Sequence, residues 1–225
     1  MHLRYNKSTF YTLFLSLAVI SCKKSDKGLR PVEAGKFVFE KLGDISSVRM
    51  YTKNGEVKDQ ELIAQYKTKY SSQFTPTNIT SADTFQIVEE NTALYISGSG
   101  QARKFVITKM DDHYEFRSKD TSNYFTQQPD QFLYNLVKYK PYYISLPTPM
   151  GYMTTTLQYY YASTAANSLV FPFVNVVRFA TIRSGQFYNS YSYSYRINNL
   201  FDEKLPGTLT TDTVLVQTFS ATYKR

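Results

Sequence analysis

The chain reads as mainly β, an antiparallel barrel or sandwich of about ten strands with two short helices. Three observations lead there. Short runs rich in Ile, Val, Phe and Tyr recur at roughly ten-residue spacing between turn residues. Asn54-Gly55 is a strong hairpin signal, because both residues tolerate the positive φ that a tight two-residue turn needs. Residues 187–197 alternate cleanly, with Phe187, Tyr191, Tyr193, Tyr195 and Ile197 on one side and Gln186, Ser190, Ser192, Ser194 and Arg196 on the other.

In chain order, Phe37–Phe39 and Val48–Lys53 are strand-like, the second leading into the Asn-Gly turn. Asp59 can cap a helix in which Leu62, Ile63, Tyr66 and Tyr70 share one side. Glu61 lies in its first turn and Lys67 and Lys69 near its end, as the helix dipole favours. A meander follows through Thr84–Val88, Thr92–Ser97, Arg103–Lys109 and Tyr114–Ser118. Pro129 and Asp130 open a second helical pattern with Phe132, Leu133, Leu136 and Val137 inward. Strands return at Tyr142–Leu146, Met153–Ala162, Leu169–Ile182 and Val214–Tyr223. Pro172 inside the third of these marks an edge, a bend or a break, since it offers no N–H to a ladder. Gly35-Lys36-Phe37 is similar to the Gly-x-Trp opening of lipocalin-like barrels, with Phe37 in place of the tryptophan, which tilts the expectation toward a barrel.

The amino terminus carries Arg4 and Lys7, an apolar stretch from Phe10 to Ile20, then Ser21-Cys22. Val19-Ile20-Ser21-Cys22 resembles the lipobox of bacterial lipoproteins. The resemblance implies cleavage after Ser21, a diacylglycerol on the Cys22 thiol and acylation of the new amino terminus, with palmitate as a usual chain. Two or three acyl chains hold a protein firmly on a membrane, where one would not. Lys23 follows the cysteine instead of the aspartate that retains lipoproteins on the inner membrane of enteric bacteria. The resemblance therefore places the protein in a Gram-negative envelope, anchored to the outer membrane, with the periplasmic and surface faces both open. The apolar stretch is about half the length that spans a bilayer. The chain thus divides into a signal peptide (1–21), a lipidated tether (22–34) and one β-rich domain (35–225).

The net charge is +8, of which Arg4 and Lys7 lie in the signal, leaving +6 for the mature chain. After Lys23, Lys24 and Lys27 the charges alternate in sign, as a solvated surface does, so nucleic acid is not an expected partner. Cys22 is the only cysteine, so the domain relies on its core and not on disulfides. That core is aromatic, with 21 Tyr and 16 Phe and no Trp.

Catalytic patterns are absent from the sequence. His113 is the only histidine beyond the signal and reads as a surface residue of the Asp111-Asp112 turn. The carboxylate pairs Glu89/Glu90, Asp111/Asp112 and Asp202/Glu203 are sequence neighbours in turn-like stretches, where side chains point apart. No phosphate loop, dinucleotide fingerprint or metal motif occurs, so no cofactor and no metal are expected. The ligand-binding candidates are Tyr159, Tyr160 and Tyr161, with rings on both faces of one strand, and the Tyr191, Tyr193, Tyr195 row. Such rings suit a small-molecule, lipid or glycan ligand. The second row also reads as plain core, with Tyr193 covered by strands on both sides. The expected function is a membrane-anchored, non-catalytic ligand-binding lipoprotein. The alternative is an assembly subunit that docks on another envelope protein, and a hydrolase is the third choice.

Overall fold

The computed structural model describes residues 31–74, 82–126, 135–165, 167–184, 187–202 and 213–225. The lipobox and Cys22 lie outside them. Twelve strands are present among the described residues: β1 (Gly35–Gly43), β2 (Arg49–Thr52), β3 (Gly55–Val57), β4 (Thr84–Glu89), β5 (Thr92–Ile96), β6 (Ala102–Lys109), β7 (Tyr114–Thr126), β8 (Tyr143–Thr148), β9 (Gly151–Ala165), β10 (Ser168–Ser184), β11 (Phe187–Ile197) and β12 (Thr213–Lys224). With 64% strand among the described residues, the class is mainly β.

Eight strands close an antiparallel barrel in the order β10-β9-β7-β6-β5-β4-β1-β12, and β12 returns to β10. Barrel, not sandwich, is therefore the architecture. Four strands lie outside the ring: the β2–β3 hairpin on β12, β8 on β9 and β11 on β10. The Asn54-Gly55 turn joins β2 and β3, with Gly55 at φ +100° where a side chain would be strained.

The interior is filled with rings. Phe85 stacks on Phe171 at 4.5 Å and receives the edges of Phe116, Tyr160 and Tyr223 at 5.8, 5.5 and 5.2 Å. Phe85, Phe105, Phe116 and Phe171 are at most 1% exposed. Each such side chain contributes about 1.5–3 kcal/mol by leaving water. A closed barrel has one inside face, which is why residues of alternate parity (Phe85 and Ile87, Phe105 and Ile107, Tyr114 and Phe116) all reach this cluster.

β10 and β12 run on past the ring, and β2, β3 and β11 extend the same sheet from them. Both faces of this extension are covered, which explains the apolar run Val214-Leu215-Val216 and the run Val174 to Val177, broken only by the buried Asn175. Val174, Val176, Val214 and Val216 pack against Tyr51, Leu136 and Val137. Val177 and Leu215 pack on the other side against Met50 and Ile63. Ile63 belongs to helix α1 (Gln60–Lys69), which Asp59 caps by accepting the Leu62 N–H at 3.0 Å. Tyr66 and Tyr70 close on Phe179 at 5.1 and 4.5 Å. A single helical turn, Ser71–Phe74, follows. The second expected helix lies outside the described residues except for its end, where Leu136 and Val137 are buried as anticipated.

Two strands extend further than the sequence suggests. β7 continues to Thr126 through a bulge between Arg117 and Thr121. Ser118 fills the gap there, donating to the Asp120 carbonyl at 2.8 Å and accepting the Gln158 N–H at 3.0 Å. Lys119 and Asp120 are exposed residues of that bulge. β10 runs through Pro172 unbroken.

Candidate functional site: the seam between two barrel strands

β9 and β10 pair over only three residues, Ser163–Ala165 with Ser168–Val170. Beyond them β9 keeps β7 and gains β8, while β10 keeps β12 and gains β11 from Val174 onward. The barrel wall parts between them. Pro172 sits in this seam. Its carbonyl points into the opening, so its nitrogen does as well, at a place where no neighbouring strand asks for an N–H. The edge reading of Pro172 is thus local and correct.

Asn198, just after β11, closes the seam. Its Oδ1 accepts the Tyr161 N–H of β9 and its Nδ2 donates to the Pro172 carbonyl of β10 at 3.0 Å. Asn199 then accepts the Tyr139 N–H at 3.1 Å and donates to the Tyr139 carbonyl at 2.8 Å. The segment around Val137 is held there by a bridge to Phe201. Both asparagines are buried with their amides satisfied.

Two hollows flank this latch and share Tyr161, Phe173 and Asn199 as walls. The inner one, about 370 Å³, lies over the barrel core between Tyr160, Phe171 and Phe173. Asp83, Tyr95, Tyr223, Gln158 and Arg196 supply its polar groups. Asp83 precedes β4, is 4% exposed and accepts the Gly98 N–H at 2.8 Å. Burial, then the charge and hydrogen bond of Asp83, push the Tyr95 hydroxyl up to about 12, against a smaller opposing pull from Arg103. Burial is also the main cause that raises Tyr160 and Tyr223, so all three hydroxyls keep their protons and can donate. At the rim, Arg103 donates to Gln158 at 2.5 Å and Gln158 donates to the Tyr160 hydroxyl at 2.8 Å. Burial pulls the Arg196 guanidinium below its ordinary value. Arg196 also lies 5.7 Å over the Phe219 ring and donates to Asn175 at 3.1 Å.

The outer hollow, about 300 Å³, is walled by His113, Tyr139, Asp44 and Phe219. Here the expectation for His113 is corrected. It follows the Asp111-Asp112 turn, yet it is 8% exposed, stacked on Tyr139 at 3.9 Å and flanked by Tyr161 at 5.5 Å. Its Nδ1 lies 2.6 Å from Asp112 Oδ1. Asp112 also accepts from Lys138 at 3.0 Å and from the Tyr139 hydroxyl at 3.1 Å. The His113 bond, followed by the one from Lys138, holds the Asp112 carboxyl well below the usual carboxylate range. The arrangement fixes rings as a wall. Among the described residues no serine hydroxyl bonds to His113, and Ser220 donates to Asp44 at 3.0 Å. No group of three metal-ligating side chains occurs among the described residues.

The tyrosine candidates divide. Tyr159, Tyr160 and Tyr161 all line the inner hollow. Tyr160 points to the barrel core, while Tyr159 and Tyr161 stack with each other at 6.1 Å. The Tyr191, Tyr193, Tyr195 row stands on β11, which has β10 as its single partner among the described strands. Cover from both sides, expected for Tyr193, is therefore not what the topology provides. Tyr195 is half-buried against the Val174 and Val176 cluster, away from the hollow. Sequence reading missed Asp83, Tyr95, Tyr223 and Asn198, which come from four separate parts of the chain. Arg196, the lone charge in the alternating strand, was the one visible signal.

The fold and site define an aromatic-cored, eight-stranded antiparallel barrel with a polar hollow at a parted seam. No protein-family model, curated protein or solved structure matches the chain.

Proposed function

We propose that the protein is an envelope lipoprotein, tethered to the outer membrane through acylated Cys22, whose barrel binds a small or oligomeric ligand without catalysis. The observation that carries the binding role is the inner hollow, where the Tyr159, Tyr160 and Tyr161 rings meet buried polar side chains. An apolar wall with a few convergent polar groups is what small-molecule sites share. The anchor reading rests on the Val19-Ile20-Ser21-Cys22 lipobox. The experiment is thermal unfolding of the protein from residue 23 onward, against a library of lipids, glycans and metabolites. A ligand of this site raises the midpoint, and Tyr160→Ala removes the rise. If no compound moves the midpoint, the binding role falls.

A second role, docking on another envelope protein, is favoured by the arm of β7, β8 and the first half of β9. Phe125, Met153 and Leu146 face one another across the three strands, so they share one side of the sheet. Ile144 lies two residues along the same side. All four are exposed, as are Tyr142 and Met150, the latter 81% exposed in the turn. Residues 121–126 and 141–157 contain no charged side chain. Pro147 sits in the outer strand β8, which discourages strand addition and leaves the face as the contact. Leu146→Asp with Met153→Asp abolishes capture of such a partner and leaves ligand-induced stabilisation intact. Unchanged capture would retire the arm as the contact.

A further inference from the structure

We infer that the inner hollow takes a neutral carbohydrate of one or two rings, an inference that rests on the binding role proposed above. Three features of the hollow select this class.

The first is the mixture of its walls. Tyr159, Tyr160, Phe171 and Phe173 offer flat ring surface, which suits the C–H face of a sugar. Between the rings stand a carboxylate, a guanidinium and an amide: Asp83, Arg196 and Gln158. A sugar hydroxyl is donor and acceptor at once, so one ligand can address all three. An acyl chain answers none of them, and every polar group it strips of water without replacing a hydrogen bond weakens its binding.

The second is charge. Asp83 is buried on the barrel side and Arg196 comes from β11 outside the ring. The two opposite charges leave no net preference for an anion or a cation. The Tyr95, Tyr160 and Tyr223 hydroxyls around Asp83 add neutral donors. An anion would meet the Asp83 charge and a cation the Arg196 charge, whereas a hydroxyl can donate to the one and accept from the other.

The third is size. At about 370 Å³ the hollow lies at the small end of ligand sites, enough for one or two sugar rings and not for a longer chain. Its opening at the seam lets the far end of a glycan continue outside.

The experiment uses the protein from residue 23 onward, with calorimetric titration and thermal unfolding. The probes are a panel of neutral mono- and disaccharides, with cis-parinaric acid and free amino acids as competing classes. At a hundredfold excess over Kd a true ligand raises the midpoint by about 5 °C or more. Asp83→Asn, which keeps Oδ1 as acceptor for Gly98, is expected to weaken the sugar tenfold or more. Gln158→Ala, at the half-exposed rim, is expected to weaken it several-fold, and it decides the matter if the Asp83 variant does not fold. Binding of cis-parinaric acid or an amino acid without any sugar overturns the carbohydrate inference and leaves the binding role standing. Silence from every probe overturns both. A sugar whose affinity is unchanged in both variants binds elsewhere and also overturns the inference.

Discussion

Asn198 donates from Nδ2 to the carbonyl of Pro172 at 3.0 Å, across the gap where two barrel strands separate. Its Oδ1 takes the Tyr161 N–H on the facing strand. One amide thereby does for the seam what a ladder of backbone bonds does elsewhere in the ring. It also lines the inner hollow, so a single side chain ties barrel closure to the shape of the site.

Asn198→Ala is expected to be costly for that reason. It leaves a buried donor on Tyr161 and a buried acceptor on Pro172 without partners, at about 1–3 kcal/mol each. A loss of roughly 2–5 kcal/mol in a urea titration is the expected result. A loss below about 1 kcal/mol would mean that water replaces the amide and the seam is open.

The barrel interior and the outer strand should respond differently to truncation. Phe85→Ala removes a ring stacked on Phe171 and is expected to cost about 3–5 kcal/mol. Tyr195→Ala removes a half-buried ring on a strand with one neighbour, and roughly 1–2 kcal/mol is expected. The same denaturant titration ranks them. Equal losses would mean that β11 is packed as tightly as the ring.

The contrast shows what could be read from the chain. Local signals located the elements well: Asp59 does cap its helix, Asn54-Gly55 does turn a hairpin, and the alternation at 187–197 is one strand. Partners were not readable. Alternation at Tyr191, Tyr193 and Tyr195 says that one face differs from the other, but the same pattern serves an inner strand and an edge strand. His113 looked solvated because its neighbours are aspartates. It is buried because Tyr139, 26 residues later, folds back over it through Asn199. Asp83 carried no pattern at all, since its role comes from Tyr95 and Gly98 brought beside it by the meander.

The anchor has a direct test. Cys22→Ser is expected to abolish metabolic labelling with a palmitate analogue and to leave the protein uncleaved or soluble. Normal labelling of that variant would end the lipobox assignment. The protein from residue 23 onward contains no cysteine and should unfold at the same denaturant concentration with and without reductant.

High pH should unfold this protein steeply. Tyr95 is raised from 10.0 to about 12, and Tyr160, Tyr161 and Tyr223 are raised as well, in each case chiefly by burial. Below pH 10 these hydroxyls are protonated in both states and the shifts leave stability unchanged with pH. Above pH 10 the unfolded chain loses the protons while the folded chain keeps them, so the unfolded state is favoured progressively as pH rises. Each such tyrosine contributes a slope of about 1.4 kcal/mol per pH unit until its folded-state value is reached. Tyr95 is only half-buried and solvent screens part of its share, so the three deeper tyrosines carry most of a slope that exhausts a stability of about 5–15 kcal/mol within roughly one to four pH units. Absorbance at 295 nm should therefore rise in two stages. Exposed tyrosines ionise gradually near pH 10, and the buried set follows in a cooperative step that coincides with loss of the far-ultraviolet β signal. Tyr160→Phe removes one titrating group and should move that step to higher pH if the variant keeps its neutral-pH stability. A single smooth titration of all tyrosines near pH 10, with the fold intact, would show that these hydroxyls reach water and that the inner hollow is wider than its walls indicate.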